Sequence, residues 1–103
     1  MSHKLYALLG FAQRAGKIIS GETGCASAIK QKKVFLVMVS EDASEHTKSE
    51  MKSLSRFYGV ECLVWGSKLH IGTSIGKSPR ATVGILDKHF ADEMRKMILQ
   101  VVH

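Results

Sequence analysis

The chain has 103 residues, of which 45% are hydrophobic and 23% charged, with five histidines, two cysteines and a formal net charge of +6. That length and balance suit one compact domain spanning residues 1–103 and argue against disorder. No apolar run approaches the roughly 18 residues of a membrane span, and Cys25 and Cys62 do not make a disulfide framework, so a reducing cytoplasm is the expected setting.

Leu5, Leu8, Leu9 and Ala12 fall at helical spacing, which predicts an amphipathic N-terminal helix rather than a signal peptide, with Gly16 as its stop. Lys17 to Ser20 is short and β-branched and predicts a strand. Gly21 to about Gln31 predicts a helix with Ala26, Ala28 and Ile29 inward, Ser20 as its N-cap and Glu22 at the positive end of its dipole. The unbroken run Val34 to Val39 is too short for most buried helices and predicts a strand covered on both faces. Ser44 is placed to cap a third helix, whose inner stripe is Met51, Leu54 and Tyr58 and whose end is Gly59. Val60 to Trp65 and Ala81 to Leu86 predict two more strands, separated by a glycine-rich basic loop over 66–80. Phe90, Met94, Met97, Ile98 and Val101 mark the inner stripe of a closing helix. Helices alternating with buried strands predict a three-layer α/β/α sandwich, with the loops around residues 14–24 and 66–80 as the binding edge.

The charge is uneven. Residues 1–33 carry six Lys/Arg against one acid, residues 34–66 three against five, and residues 67–103 six against three. If the two basic ends meet in space they form a basic face, for which a polyanion such as nucleic acid is the natural partner. Lys30, Lys32 and Lys33 cluster at the end of the second helix, where the helix dipole favours cations and where they are also placed for peripheral phosphate contact.

Two catalytic motifs fail on context. Gly72-Thr73-Ser74-Ile75-Gly76 fits G-x-S-x-G, with Asp87 and His89 following in triad order, but a nucleophile elbow needs a strand running straight into its serine. Asp87 is better explained as a helix cap. Gly72 to Ser78 lacks one residue of the phosphate loop G-x-x-x-x-G-K-[ST] and leads toward a strand, not a long helix. Backbone N–H groups near these glycines, with Lys77 and Arg80 alongside, still suit phosphate oxygens. His3, His46, His70, His89 and His103 show no metal-ligand spacing, and helix capping accounts for the cluster Asp42, Glu45 and His46.

Three segments together resemble the kink-turn RNA-binding superfamily of ribosomal proteins L-seven-Ae and L-thirty-e, and most closely its bacterial YlxQ-type branch. They are Leu8 to Gly21 (LLGFAQRAGKIISG), Val39 to Ala43 (VSEDA) and Ser67 to Gly76 (SKLHIGTSIG), and the match spans roughly residues 5–90. The resemblance implies a small mixed central sheet within the sandwich. It implies binding of structured RNA, ribosomal or other, at kink-turns: sharply bent helices with tandem sheared G·A pairs beside a bulge. It assigns two elements to that contact. The first is the start of the second helix with the loop before it: Lys17, Ser20, Gly21, Glu22, Thr23, Gly24 and Ser27, with Lys30 further along. The second is the loop before the last strand, with Lys77, Ser78, Pro79 and Arg80. Where much of the family has Gly-Thr-Asn-Glu-x-x-Lys, this chain reads Gly21-Glu22-Thr23-Gly24-Cys25-Ala26-Ser27, so a base-contacting acceptor and a phosphate-binding cation are missing.

The expected function is therefore a non-catalytic RNA-binding protein, monomeric, with no cofactor, no metal, no membrane contact and no small-molecule substrate. A protein-interaction module on the same fold is the alternative, favoured by the missing side chains. A serine hydrolase acting through Ser74 is the remote third reading.

Overall fold

A computed structural model describes residues 2–102 of the chain. Its elements run α1 (Ser2–Arg14), β1 (Ile18–Ser20), α2 (Glu22–Lys30), β2 (Leu36–Val39), α3 (Glu45–Phe57), β3 (Glu61–Val64), α4 (Lys68–Ser74), β4 (Thr82–Ile85) and α5 (Lys88–Val102). The strands form one mixed sheet in the order β1-β4-β2-β3. β2 and β3 run parallel, and β4 lies antiparallel to both β2 and β1.

The period of two in each strand sends alternate residues to opposite faces. Leu36 and Met38 of β2 stand opposite Ile85 and Val83 of β4, and all four face α1, α4 and α5. There they meet Leu9 and Ala12 of α1, Ile71 of α4, and Met94 and Ile98 of α5. Val37 and Val39 point the other way, onto Cys25 and Ile29 of α2 and Met51 of α3. β2 is buried at every position, but it is shorter than the apolar run Val34 to Val39: it starts at Leu36, and Phe35 is 49% exposed. Each fully buried Leu, Ile or Met contributes about 1.5–3 kcal/mol relative to exposure, so the two apolar faces of β2 hold the layers together. Among the described residues, no helix is long and apolar enough to cross a membrane.

The stripes of α1, α3 and α5 fall where the sequence places them, although Leu8, Leu54, Phe90 and Met97 are only half-buried, Tyr58 is the half-buried C-cap of α3, and the Val101 side chain lies outside the described residues. On α2 the fully buried pair is Cys25 and Ile29, while Ala26 and Ala28 are half-buried. Two expectations fail. Ser20 does not cap α2: it is the last residue of β1, and Gly21 is the N-cap, without a side-chain cap bond. The segment 66–80 is not an open loop, because its first half is the helix α4.

Three of the helices, α1, α3 and α4, are followed by a left-handed glycine. At the end of α2 the same turn is built on Lys32, at φ 60°. The Lys33 N–H donates to the Ala28 carbonyl (3.0 Å) and the Lys32 N–H to the Ile29 carbonyl (2.9 Å), closing a Schellman motif around a residue that has a Cβ. Relief of that strain is worth roughly 1–2 kcal/mol, and the unfolded-state entropy that a glycine adds costs about 0.4–1 kcal/mol. Lys32→Gly is therefore expected to raise Tm by a few degrees in a thermal melt followed by circular dichroism.

Candidate nucleic-acid interface

Strand direction brings two segments of the chain together. β1 ends where β4 begins: Ser20 pairs with Val83, and the Gly21 N–H donates to the Thr82 carbonyl at 2.9 Å. The segment entering α2 and the segment entering β4 therefore lie side by side on one edge of the sheet. This edge also holds the exit of β2, where the Ser40 N–H donates to the Ala81 carbonyl at 2.8 Å.

Gly21 adopts φ 92° and ψ 149°, a conformation open to glycine and strained for other residues. Its carbonyl accepts the first bond of α2, from the Cys25 N–H at 3.0 Å. The amides of Glu22, Thr23 and Gly24 precede that bond, and no side chain caps them. Here α2 differs from its neighbours. Ser44 Oγ accepts from the Thr47 N–H in α3, Ser67 Oγ from the His70 N–H in α4, and Asp87 Oδ2 from the Phe90 N–H in α5. The start of α2 is thus an uncapped array of donors at the positive end of a helix dipole. The Glu22 carboxylate is drawn aside from it, accepting from the Thr47 hydroxyl at 3.1 Å.

The second segment is braced from below by α4. The Lys77 N–H donates to the Gly72 carbonyl (2.8 Å) and the Gly76 N–H to Thr73 (3.1 Å), which turns the chain back over its own helix. Gly72 is required by closeness: a Cβ there would collide with the Ser78 carbonyl oxygen. A Cβ on Gly10 of α1 would stand 3.0 Å from the Ser74 carbonyl oxygen, so α1 packs tightly against α4 from the other side. The Arg80 N–H donates to the Lys68 carbonyl at 3.0 Å. The Arg80 guanidinium folds back, one nitrogen donating to the Ser78 carbonyl (3.1 Å) and Ser78 Oγ (2.5 Å). Lys77, Ser78 and Pro79 are exposed.

The structure thus joins Ser20, Gly21, Glu22, Thr23 and Gly24 with Lys77, Ser78, Pro79 and Arg80, and Ser27 is exposed one turn further along α2. It separates Lys17 and Lys30 from them. Lys17 precedes β1, roughly 13 Å along the strand from Gly21. Lys30 closes α2, roughly 12 Å along the helix from its start. The loop 14–17 accordingly lies at the opposite edge from the residues that follow β1. The expected basic face does not form on the loop edge either, because Lys68, Lys77 and Arg80 share it with Glu22, Glu41 and Asp42. Lys68 and the exposed Leu69, in the first turn of α4, were missed because their segment reads as loop; the bond from Arg80 to Lys68 brings them beside the ridge.

Asp42 has a structural task. Its Oδ1 accepts from the Lys68 N–H at 3.0 Å, anchoring the first turn of α4 and holding the carboxyl below its ordinary range. Glu45 pairs with Lys48 and His46 with Glu50 on the surface of α3, so the three residues form no acid–base cluster.

The hydrolase reading fails on geometry. Ser74 Oγ donates to the His70 carbonyl at 2.7 Å, and Asp87 is occupied as the cap of α5. The phosphate-loop reading fails on order, because the helix precedes the Gly-Lys-Ser and a strand follows it. Burial pushes the Cys25 thiol up to about 12 and raises that of Cys62, which leaves neither poised as a nucleophile. Among the described residues, no three His, Cys, Asp or Glu side chains gather as a metal site.

Comparison with known proteins matches residues 3–95 to the family model described as ribosomal protein L7Ae/L30e/S12e/Gadd45 family. A protein of Enterococcus faecium named RNA-binding protein YlxQ is 41% identical over 95 residues, or 92% of this chain and 91% of its own length. Its namesake in Bacillus subtilis is 33% identical over 93 residues, or 90% and 93%. A solved structure of a protein of unknown function from Bacillus halodurans superposes with a TM-score of 0.89 at 33% identity, covering 92% of this chain and 96% of that one. The Giardia lamblia 15.5kD RNA binding protein shares the fold, with a TM-score of 0.82 at 19% identity over 96% and 88% of the two chains.

Two variants test the support of this edge. Gly72→Ala forces Ser78 outward and is expected to cost about 1–3 kcal/mol in denaturant unfolding. Asp42→Ala is expected to lower Tm at neutral pH. Because the folded carboxyl is held low, its contribution is complete above the ordinary carboxylate range and is lost as pH falls through the lowered value. The Tm difference between Asp42→Ala and wild type should therefore close in acid.

Proposed function

The chain belongs to the ribosomal protein L7Ae/L30e/S12e/Gadd45 family, and from that premise we propose that it is a non-catalytic RNA-binding protein that recognises a kink-turn or related structured RNA. The observation that carries this reading is the uncapped start of α2 standing beside the segment Lys77 to Arg80. Amides at a helix N-terminus donate to phosphate oxygens and base edges, and they need no side chain to do so. Binding through backbone donors is compatible with Gly24 and Ser27, where an acidic acceptor and a lysine are absent. Thr23 keeps one hydroxyl that can donate and accept. Lys77 supplies a mobile cation, while Arg80 supplies a guanidinium already held in place, at low entropic cost on binding. RNA is read mainly by shape and at unstacked bases, which suits a narrow ridge made of two adjacent segments. The relatives named RNA-binding protein YlxQ support the same reading. Two free cysteines fit the reducing cytoplasm, and structured RNA, ribosomal or other, is the partner of a monomeric protein.

The mixed charge of this edge favours one second reading, a protein-interaction module on the same fold. A gel-shift titration separates the two. The RNA reading expects tighter binding to a kink-turn RNA than to a straight duplex of equal length. It also expects Lys77→Ala with Arg80→Ala to weaken binding and to reduce the slope of log K against log salt by about one for each phosphate no longer neutralised. Equal affinity for both RNAs would remove the specificity, and no affinity at low salt would favour the protein partner.

A further inference from the structure

The opposite edge of the sheet holds the charge that the loop edge lacks. α1, α2 and α3 all end there, and β4 leaves the sheet there. The Lys17 carbonyl accepts from the Leu86 N–H at 2.8 Å, and the Phe35 N–H donates to the Ile85 carbonyl at 2.8 Å. Lys17 and Phe35 therefore flank the end of β4 on its two sides, roughly 10 Å apart. Lys32 and Lys33 precede Phe35 directly, and Arg14 closes α1 close in sequence to Lys17. Among the described residues, none of Arg14, Lys17, Lys32 and Lys33 lies within ion-pair distance of a carboxylate. The acids nearest in the fold are engaged elsewhere: Glu61 pairs with Arg95, and Asp87 caps α5.

The helix C-termini account for cations here, since their dipoles attract positive charge. They do not account for Phe35, which is 49% exposed. An exposed phenylalanine has no hydroxyl or N–H to justify its place at the surface. Cations flank Phe35, with Lys17 across the end of β4 and Lys32 and Lys33 just before it in the chain. A protein interface depletes lysine at its core, and a membrane-binding face needs a contiguous apolar stripe. A planar ring among unpaired cations matches single-stranded nucleic acid, with a base on the ring and phosphates on the lysines.

We propose that Phe35, with Lys17, Lys32 and Lys33, forms a second RNA-contact surface that takes an unpaired strand by stacking and charge. It goes beyond the two-segment ridge and stands on residues at the other edge of the sheet, so either surface can fail without the other. A structured RNA with a single-stranded flank would engage both, the ridge reading the fold and this surface holding the flank.

The test uses the full chain and fluorescein-labelled oligouridylate and oligoadenylate of about ten nucleotides, a length within the range of single-strand sites. Fluorescence anisotropy at low salt should show binding of both sequences. Phe35→Ala should weaken it about tenfold while Phe35→Tyr retains it, since stacking needs a ring and tolerates any base. Lys17→Glu with Lys33→Glu should abolish it without relying on Phe35, and a melting curve for each variant confirms that it is folded. Lys77→Ala with Arg80→Ala should weaken it far less than Lys17→Glu with Lys33→Glu does. The proposal is overturned if wild type fails to bind the oligonucleotides, if folded Phe35→Ala and Lys17→Glu/Lys33→Glu bind as wild type does, or if the Lys77/Arg80 variant loses the same binding. Binding to anionic vesicles in place of the oligonucleotides would overturn it in favour of a membrane surface.

Discussion

The antiparallel pairing of β1 with β4 is the constraint on which the site depends. Three residues pair with three, and the ladder is carried outward by the Gly21 N–H on the Thr82 carbonyl. Because β1 is so short, a shift of one residue would turn Ile18 and Ile19 to the wrong faces and displace the start of α2. Gly84 fixes that register from within β4, since a Cβ there would stand 2.9 Å from Ile19 Cγ2. Two segments some fifty positions apart in the chain are thus set beside each other by the backbone ladder, with Ile19 on Gly84 holding its register. That explains how the ridge can be well defined without its members touching through side chains.

The second support is the close approach of α1, α4 and the turn after α4. Gly10 and Gly72 remove side chains where backbones meet, and Asp42 ties down the first turn of α4. The sequence SKLHIGTSIG is therefore a packing device: Ser67 caps, Ile71 buries, Gly72 admits the Ser78 carbonyl and Gly76 ends the helix. Its resemblance to hydrolase and phosphate-loop patterns reflects a shared need for small residues at tight turns, with different geometry around them.

Much of the fold is legible in the chain itself. Leu36 to Val39, within the run Val34 to Val39, and the stripe of Met94 and Ile98 are strong signals because burial on one or both faces dictates them. The left-handed ends at Gly16 and Gly59 are equally direct. α4 was hidden because seven residues containing Gly72 and β-branched Ile71 and Thr73 have little helix propensity; the Ser67 cap and packing against α1 stabilise it instead. The N-cap of α2 was misplaced by one residue because Ser20 has the better capping side chain, yet the pairing of β1 with β4 claims it for the sheet. The distribution of charge was hidden for a topological reason. Basic residues near both chain ends suggested one basic face, but the direction of β1 and α2 sends Lys17, Lys30, Lys32 and Lys33 to one edge and leaves Lys77 and Arg80 at the other.

The loop edge is thus suited to recognition by donors and shape, with little net charge, and its central feature is a set of backbone amides. Amide-resolved NMR on the 15N-labelled protein, titrated with a kink-turn RNA, examines those groups directly. The account predicts that the amides of Glu22, Thr23 and Gly24 shift together with those of Lys77, Ser78 and Arg80. Shifts confined to other surfaces, with these six amides unmoved at saturating RNA, would contradict it.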